Sequence, residues 1–338
     1  MRTFFQYTSY LIPLKLSIQQ LGEKSIFPFY HLVSDSQPAH AKHLYRIIDT
    51  KGFKRDLEFL LKYFEPIDPK DLLLASKANK KKSGFLLSFD DGFREVKEVI
   101  APILLQKGIP AVFFVNPAYI DNLGLMYRCK ISLLIEKVTS TNISGELLNR
   151  ISNLLGCSST VKSISNKLIG LNNKEESLID QIASKLEIDF EQYLQKERPY
   201  LSTDNLFDLS KSGFIVGAHG YNHPYFSTIS YKEQVDEVVK SMDWIKTRFV
   251  NQPKLFAFPF TDYGVSDDVV RMITQQPNAI CDLTFGSAGI QPTKYSTHIQ
   301  RIPMEKINIS GKHIVSGEIL YYLAKKATGY YKKYDKNI

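Results

Sequence analysis

Cysteine is scarce in this chain of 338 residues: Cys129, Cys157 and Cys281 are widely separated, odd in number and form no CxxC pair. That pattern suggests neither a disulfide framework nor a cysteine-zinc module. Long hydrophobic runs are missing as well, and none approaches the roughly 20 apolar residues of a spanning helix. Between Met1 and Leu14 the apolar residues are interrupted by Gln6, Thr8, Ser9 and Pro13. The segment therefore has neither the apolar core nor the small-residue cleavage site of a secretory signal. These absences point to a cytoplasmic protein, with peripheral contact at a membrane left open. Helix-turn-helix, zinc-finger and RNA-binding patterns are also lacking, which argues against a nucleic-acid partner.

What is present fits a folded globular protein: 43% hydrophobic and 23% charged residues, in alternating strand-like and helix-like segments. The length suits one α/β barrel carrying an insertion. The formal charge is +8 and the isoelectric point near 9.1, but much of the excess is local. Lys77, Lys80, Lys81 and Lys82 form one run, read as a solvated loop. Lys325, Lys326, Lys332, Lys333 and Lys336 crowd the C-terminus among Tyr321, Tyr322, Tyr330, Tyr331 and Tyr334. That segment reads either as the amphipathic last helix or as a peripheral membrane contact.

Buried strands are expected at Ile26–His31, Phe85–Phe89, Ala111–Val115, Phe214–Val216, Leu255–Phe258, Ala279–Leu283 and Ile299–Ile302, each a short apolar run. Helical spacing recurs over Phe53–Tyr63, Arg94–Gln106 and Lys232–Phe249, the second closed by Lys107 and Gly108. The alternation predicts a parallel α/β arrangement, either a barrel or an open sheet. From Tyr127 to Tyr200 strand-like runs vanish and apolar residues take helical spacing. This stretch is expected to be a helical insertion (127–200) within a single domain (1–338).

Two clusters carry chemistry. Ser88-Phe89-Asp90-Asp91-Gly92 follows an apolar strand directly. Asp-Asp-Gly is good turn chemistry, but in a parallel α/β fold the carboxyl ends of strands are also where sites assemble. One Asp could hold a metal while its neighbour faces a water. The second cluster, Gly217-Ala218-His219-Gly220-Tyr221-Asn222-His223-Pro224, also follows a strand. Two histidines four apart can converge on one ion, although a lone pair at this spacing is commonly incidental. Together with one Asp they supply three N/O donors and leave a fourth position open, the composition of a catalytic rather than a structural zinc site.

These residues resemble those of the polysaccharide deacetylases, the chitin and peptidoglycan deacetylase group (carbohydrate esterase family 4), whose fold is an incomplete or distorted (β/α) barrel. The resemblance extends to Pro28-Phe29-Tyr30-His31, to Phe258-Pro259-Phe260 with Gly264, and to Arg301-Ile302-Pro303. It covers most of the chain outside the helical insertion. It implies Asp90 as catalytic base, Asp91, His219 and His223 as ligands of a divalent ion, usually zinc, and an N-acetylated carbohydrate as substrate. The implied reaction is metal-dependent removal of acetyl groups from amino sugars of a polysaccharide or its precursor.

Three departures from the family pattern bear on mechanism. Gly220 stands where a Ser or Thr usually steadies the histidine loop. Phe256–Gly264 contains no arginine to orient the base, a role left to Arg301. Arg301-Ile302-Pro303-Met304-Glu305 contains no histidine, so the general acid must come from elsewhere, His31, His298 and Glu305 being the candidates. An oxyanion donor is expected among backbone amides near Pro117 or Tyr119, and sugar stacking at Tyr221, Phe260 and Tyr263. The rival reading is a catalytically degenerate sugar-binding protein on the same fold.

Overall fold

The computed structural model describes residues 2–9, 14–22, 24–73, 83–275 and 277–331. The lysine run at 77–82 and the tail residues Lys332, Lys333, Tyr334 and Lys336 lie outside them. The main sheet has eight parallel strands: β1 Pro28–Tyr30, β2 Leu87–Phe89, β3 Ala111–Val115, β4 Ile215–Ala218, β5 Leu255–Ala257, β6 Leu283–Gly286, β7 His298–Gln300 and β8 Ile302–Pro303. Their order is β8-β1-β2-β3-β4-β5-β6-β7. The two ends of this ladder, β7 and β8, are halves of one segment separated only by Arg301. One half pairs with β6 and the other with β1, so the sheet curls into a nearly closed barrel. A two-stranded ladder of Glu65–Pro66 and Gly84–Phe85 lies apart from it.

Period-two alternation sorts the strand residues into two environments. Val112, Phe114, Ile215, Leu255, Ala257, Leu283 and Phe285 pack together as the barrel interior. Leu87, Phe89, Ala111, Phe113, Val115, Val216 and Phe256 face the surrounding helices in a larger cluster. Both faces are dry, which explains why the strands read as continuous apolar runs. Gly217 is required where it stands. A Cβ there would lie 2.6 Å from the Phe114 ring that crosses the barrel.

Helices α1 Arg2–Thr8 and α2 Leu14–Leu21 precede the barrel; α3 Thr50–Tyr63 and α4 Ala101–Lys107 cover its first strands. Asp49 caps α3 by accepting from the Gly52 amide at 2.7 Å, and Gly108 ends α4 at φ 63°. The segment between β3 and β4 forms α5 Tyr127–Ser140, α6 Gly145–Leu155, α7 Val161–Ile169, α8 Glu176–Lys185 and α9 Phe190–Glu197. Their apolar faces build a second core, joined by Leu32, Ala41 and Phe93 from the barrel loops. Then come α10 Thr203–Lys211, α11 Tyr231–Arg248, α12 Asp267–Thr274 and α13 Gly311–Ala327. No helix among the described residues is long and apolar enough to cross a membrane.

Three strand expectations shift. The run Phe85–Phe89 is divided, Phe85 pairing with Pro66 in the small ladder and Leu87–Phe89 forming β2. The apolar run Ala279–Leu283 contributes only Leu283 to β6, because Ile280 and Cys281 instead donate their amides to the Ile273 carbonyl at the end of α12. The run Ile299–Ile302 is broken at Arg301. That residue's side chain enters the barrel, and its backbone bonds Gly286 and Gly289 between the two half-strands.

Candidate metal and catalytic site

Each chemical residue sits where a strand ends. His31 follows β1, Asp90 follows β2, His219 follows β4 and Arg301 lies between β7 and β8. The ladder continues one bond into the loops, with the Asp90 amide donating to the Tyr30 carbonyl and the His219 amide to that of Val115, both at 2.9 Å. This is the carboxyl-end rim of the barrel, where side chains from separate strands converge.

Adjacent carboxylates normally diverge, but Asp91 has φ 72° and both carboxylates line the same cavity. His223 (φ 59°) and Phe260 (φ 58°) share this left-handed backbone, which costs a non-glycine residue roughly 1–2 kcal/mol. Such strain is tolerated where surrounding structure imposes it, commonly at functional sites. Gly220, with φ 74°, occupies the one position of the histidine loop where a glycine relieves that cost. The loop is steadied from outside instead. The Asn116 amide donates to the carbonyls of His219 and Gly220, and Glu237 accepts from the amides of Tyr221 and Asn222 at 2.7 and 3.3 Å.

One ligand atom from each of Asp91, His219 and His223 lies within 4.8 Å of the others, and all three residues are buried. The Asp91 Oδ1 is 3.6 Å from His219 Nε2 and 3.3 Å from His223 Nε2. His219 Nδ1 donates to the Ala257 carbonyl at 2.8 Å, which fixes the tautomer and turns the bare Nε2 lone pair toward the other donors. Burial lowers the His219 pKa to about 4, so the ring is neutral near pH 7. Among the described residues Asp91 Oδ1 has no hydrogen-bond partner although it is buried. Burial alone would raise Asp91, but the neighbouring His223, then His31 and His219, hold it below the usual carboxylate range. A neutral imidazole, an ionised and unsatisfied carboxylate and a second imidazole at this spacing fit a divalent cation.

Asp90 is held differently. Arg301 grips it with two hydrogen bonds, Nη1 to Oδ1 at 2.7 Å and Nη2 to Oδ2 at 2.8 Å, and also donates to Ser88 Oγ at 2.9 Å. Burial would raise the Asp90 pKa, yet the Arg301 charge, assisted by His219, lowers it. The guanidinium itself stacks over Phe29, 4.2 Å from the ring centroid, and is 1% exposed. Asp90 Oδ2 stands 3.7 Å from His219 Nε2, beside the donor set.

Of the three acid candidates, the structure joins two. His31 Nδ1 meets Glu305 Oε2 at 2.5 Å, while Glu305 Oε1 accepts from the amides of His31 and Leu32. The His31 ring is stacked on Tyr45, centroids 4.4 Å apart at 11°. Burial works against protonation, but Glu305, then Asp91 and Asp90, raise the His31 pKa to about 9. His31 is thus a protonated imidazolium at neutral pH. His298 turns elsewhere, its two ring nitrogens meeting Thr284 Oγ1 at 2.9 Å and Asp262 at 3.0 Å.

His31, Asp90, Asp91, His223 and Arg301 line a cavity of about 290 Å³ with Tyr45, Arg128, Phe260 and Ser287. Sequence reasoning had no signal for Tyr45 or Arg128, which lie in no motif. The buried Tyr45 hydroxyl has no hydrogen-bond partner among the described residues. Arg128 donates to the Ile169 carbonyl at 2.8 Å and lies over Phe260 at 5.9 Å. Tyr221 and Tyr263 do not line the cavity, and Tyr263 is 83% exposed. Two of the amides near Pro117 and Tyr119 are already engaged. Ala118 donates to Tyr221 and Tyr119 to Asn116, and Pro117 has no N–H.

Residues 168–277 match the family model described as polysaccharide deacetylase, a span that contains both histidines but neither Asp90 nor Asp91. No curated protein matches the sequence. In fold the chain is similar to the deacetylase PplD of Streptococcus pyogenes, solved in complex with acetate, at 16% identity and a TM-score of 0.54 over 87% of this chain and 98% of that one. It is similar to IcaB from Ammonifex degensii at 14% identity and a TM-score of 0.54, over 88% of this chain and 98% of the other. It is also similar to BC0361, a polysaccharide deacetylase from Bacillus cereus, at 13% identity and a TM-score of 0.52, over 87% and 69% of the two chains. At these identities the likeness is one of fold.

Proposed function

We propose that this chain, polysaccharide-deacetylase-like in its matched domain and its barrel, is a metal-dependent amide hydrolase that removes acetyl groups from N-acetylated amino sugars of a polysaccharide or its precursor. The observation that carries the reading is a second buried carboxylate, Asp90, beside the Asp91–His219–His223 donor set and clamped by Arg301. A site that only binds an ion or a sugar needs no spare base at that place; hydrolysis does.

Asp91, His219 and His223 would hold the ion, for which zinc suits the N/O donors, and which when bound supplies Lewis-acid polarisation of the amide carbonyl. Asp90, kept ionised by Arg301, accepts a proton from the attacking water. His31, protonated through Glu305, presents Nε2–H to the leaving nitrogen and releases a free amino sugar and acetate. Arg301 and Glu305 act as positioning residues. The unpartnered Tyr45 hydroxyl is placed to bind the substrate.

We read the chain as one catalytic domain in which residues 127–200 are a helical insertion. Met126, just before it, and Arg128, at its start, form part of the cavity wall and so bear on which saccharide enters.

The test measures acetate release from an N-acetylated oligosaccharide together with bound metal. Asp90→Asn should keep fold and metal content and lose roughly a hundredfold or more in turnover. Asp91→Asn should lose metal first. Equal turnover in wild type and Asp90→Asn would remove the base assignment. Absence of release by the wild type from any amino-sugar substrate would favour the degenerate sugar-binding reading.

A further inference from the structure

We infer that α1, α2 and α13 together form a face that docks on an anionic lipid bilayer. α1 and α2 pack on α13, and aromatic or apolar side chains stand outward among the exposed Thr3, Lys15, Gln19 and Gln20: Phe4 is 65% exposed, Tyr7 55% and Leu16 53%, with Tyr330, just after α13, at 52%. Phe4 and Tyr7 are three apart on one helix and so share a side of it. From α1 to the end of α13 the face is continuous. Phe4 contacts Phe5 at 5.9 Å, Phe5 contacts Tyr321 at 5.8 Å, and Lys325 lies 4.7 Å from the Tyr321 ring and 4.1 Å from that of Tyr330.

Charge identifies the occupant. α1 and α2 contain no carboxylate, and α13 contains one, Glu318. Glu318 is fully buried and turned inward to Arg2 at 3.1 Å and Gln6 at 3.1 Å. Lys15, Lys24, Lys325 and Lys326 make no ion pair among the described residues, while Lys15 and Lys326 are exposed. Amphipathic rings among unpaired cations match a headgroup layer carrying negative charge, where the rings enter the interface and each lysine adds attraction. An acidic protein would satisfy the lysines but give no reason for Phe4, Tyr7 and Leu16 to face outward.

The face also has a fixed relation to the cavity. Arg2, which anchors α1, donates to the Ala288 carbonyl, next to Ser287 in the cavity wall. Docking would therefore set the barrel rim beside the bilayer.

The experiment is co-sedimentation of the full chain with vesicles of phosphatidylcholine alone and of phosphatidylcholine mixed with phosphatidylglycerol. The wild type should bind the mixed vesicles, release at high salt and ignore the neutral ones. The double variant Lys15→Glu/Lys326→Glu should bind at least about tenfold more weakly. Phe4→Ser/Tyr7→Ser should weaken binding while leaving its salt dependence in place. Thermal melts of both should match the wild type, since all four side chains are exposed. No binding to mixed vesicles, or equal binding by wild type and both variants, overturns the proposal. Self-association abolished by Phe4→Ser/Tyr7→Ser without vesicle binding would overturn it in favour of a second copy as the occupant.

Discussion

Replacing Arg301 by methionine removes a cation that is 1% exposed from a carboxylate that is 2% exposed. Methionine keeps most of the apolar stem that packs on Phe29 and Phe114 but none of the three hydrogen bonds to Asp90 and Ser88. Removing one partner of a buried ion pair costs about 3–5 kcal/mol, because the remaining charge is stranded in low dielectric. The sign of the pH dependence follows. In the wild type the folded pKa of Asp90 is lowered below its usual 3.8. Asp90 therefore stabilises the fold above that value, and the contribution is lost as pH falls through the folded pKa. Without Arg301, burial acts with less opposition and the folded pKa moves upward. The Arg301→Met deficit should be largest at neutral pH and shrink on acidification. Arg301→Met in an Asp90→Asn background strands no charge and should cost less than half as much. Urea unfolding of the four proteins at neutral and mildly acid pH makes the measurement. A single-mutant loss below about 1 kcal/mol, or an equal loss in both backgrounds, would refute the reasoning.

Three further outcomes follow from the same geometry. Glu305→Gln removes the largest of the charges that hold His31 at about 9, leaving burial opposed only by Asp91 and Asp90, so the folded pKa should fall. The stabilisation that His31 supplies below 6.5 and loses as pH rises through about 9 should shrink, and an imidazole NMR titration should show the shift. His219→Ala removes a neutral nitrogen donor from the Asp91–His219–His223 set and should abolish stoichiometric metal; unchanged metal by elemental analysis would sink the ligand assignment. Tyr45→Phe removes a buried hydroxyl without a partner, so the melting temperature should hold or rise while kcat/KM falls about three- to tenfold, the range of one neutral hydrogen bond. A drop in both would mean that Tyr45 serves the fold rather than the substrate.

The Asp90–Asp91 pair and the His219–His223 pair were legible because each is local: an apolar run ends, and polar residues with a defined spacing follow it. The same locality misled at Ala279–Leu283, where an apolar run serves the end of α12 before β6 begins. It also hid the break at Arg301, since a run of strand-forming residues carries no sign that one side chain must enter the barrel.

By itself, then, the sequence determined where short buried strands alternate with helices and which polar residues stand at their carboxyl ends, because burial on both faces and turn chemistry are written in windows of a few residues. Only the tertiary structure decided which of those residues meet. Arg301 grips Asp90 across 211 positions of chain, Glu305 charges His31 across 274, and Tyr45 reaches the same cavity from a loop without a motif. Those partnerships arise when β7 and β8 bring the last segment back beside β1, and the curling of the sheet is a property of all its strands together rather than of any local stretch.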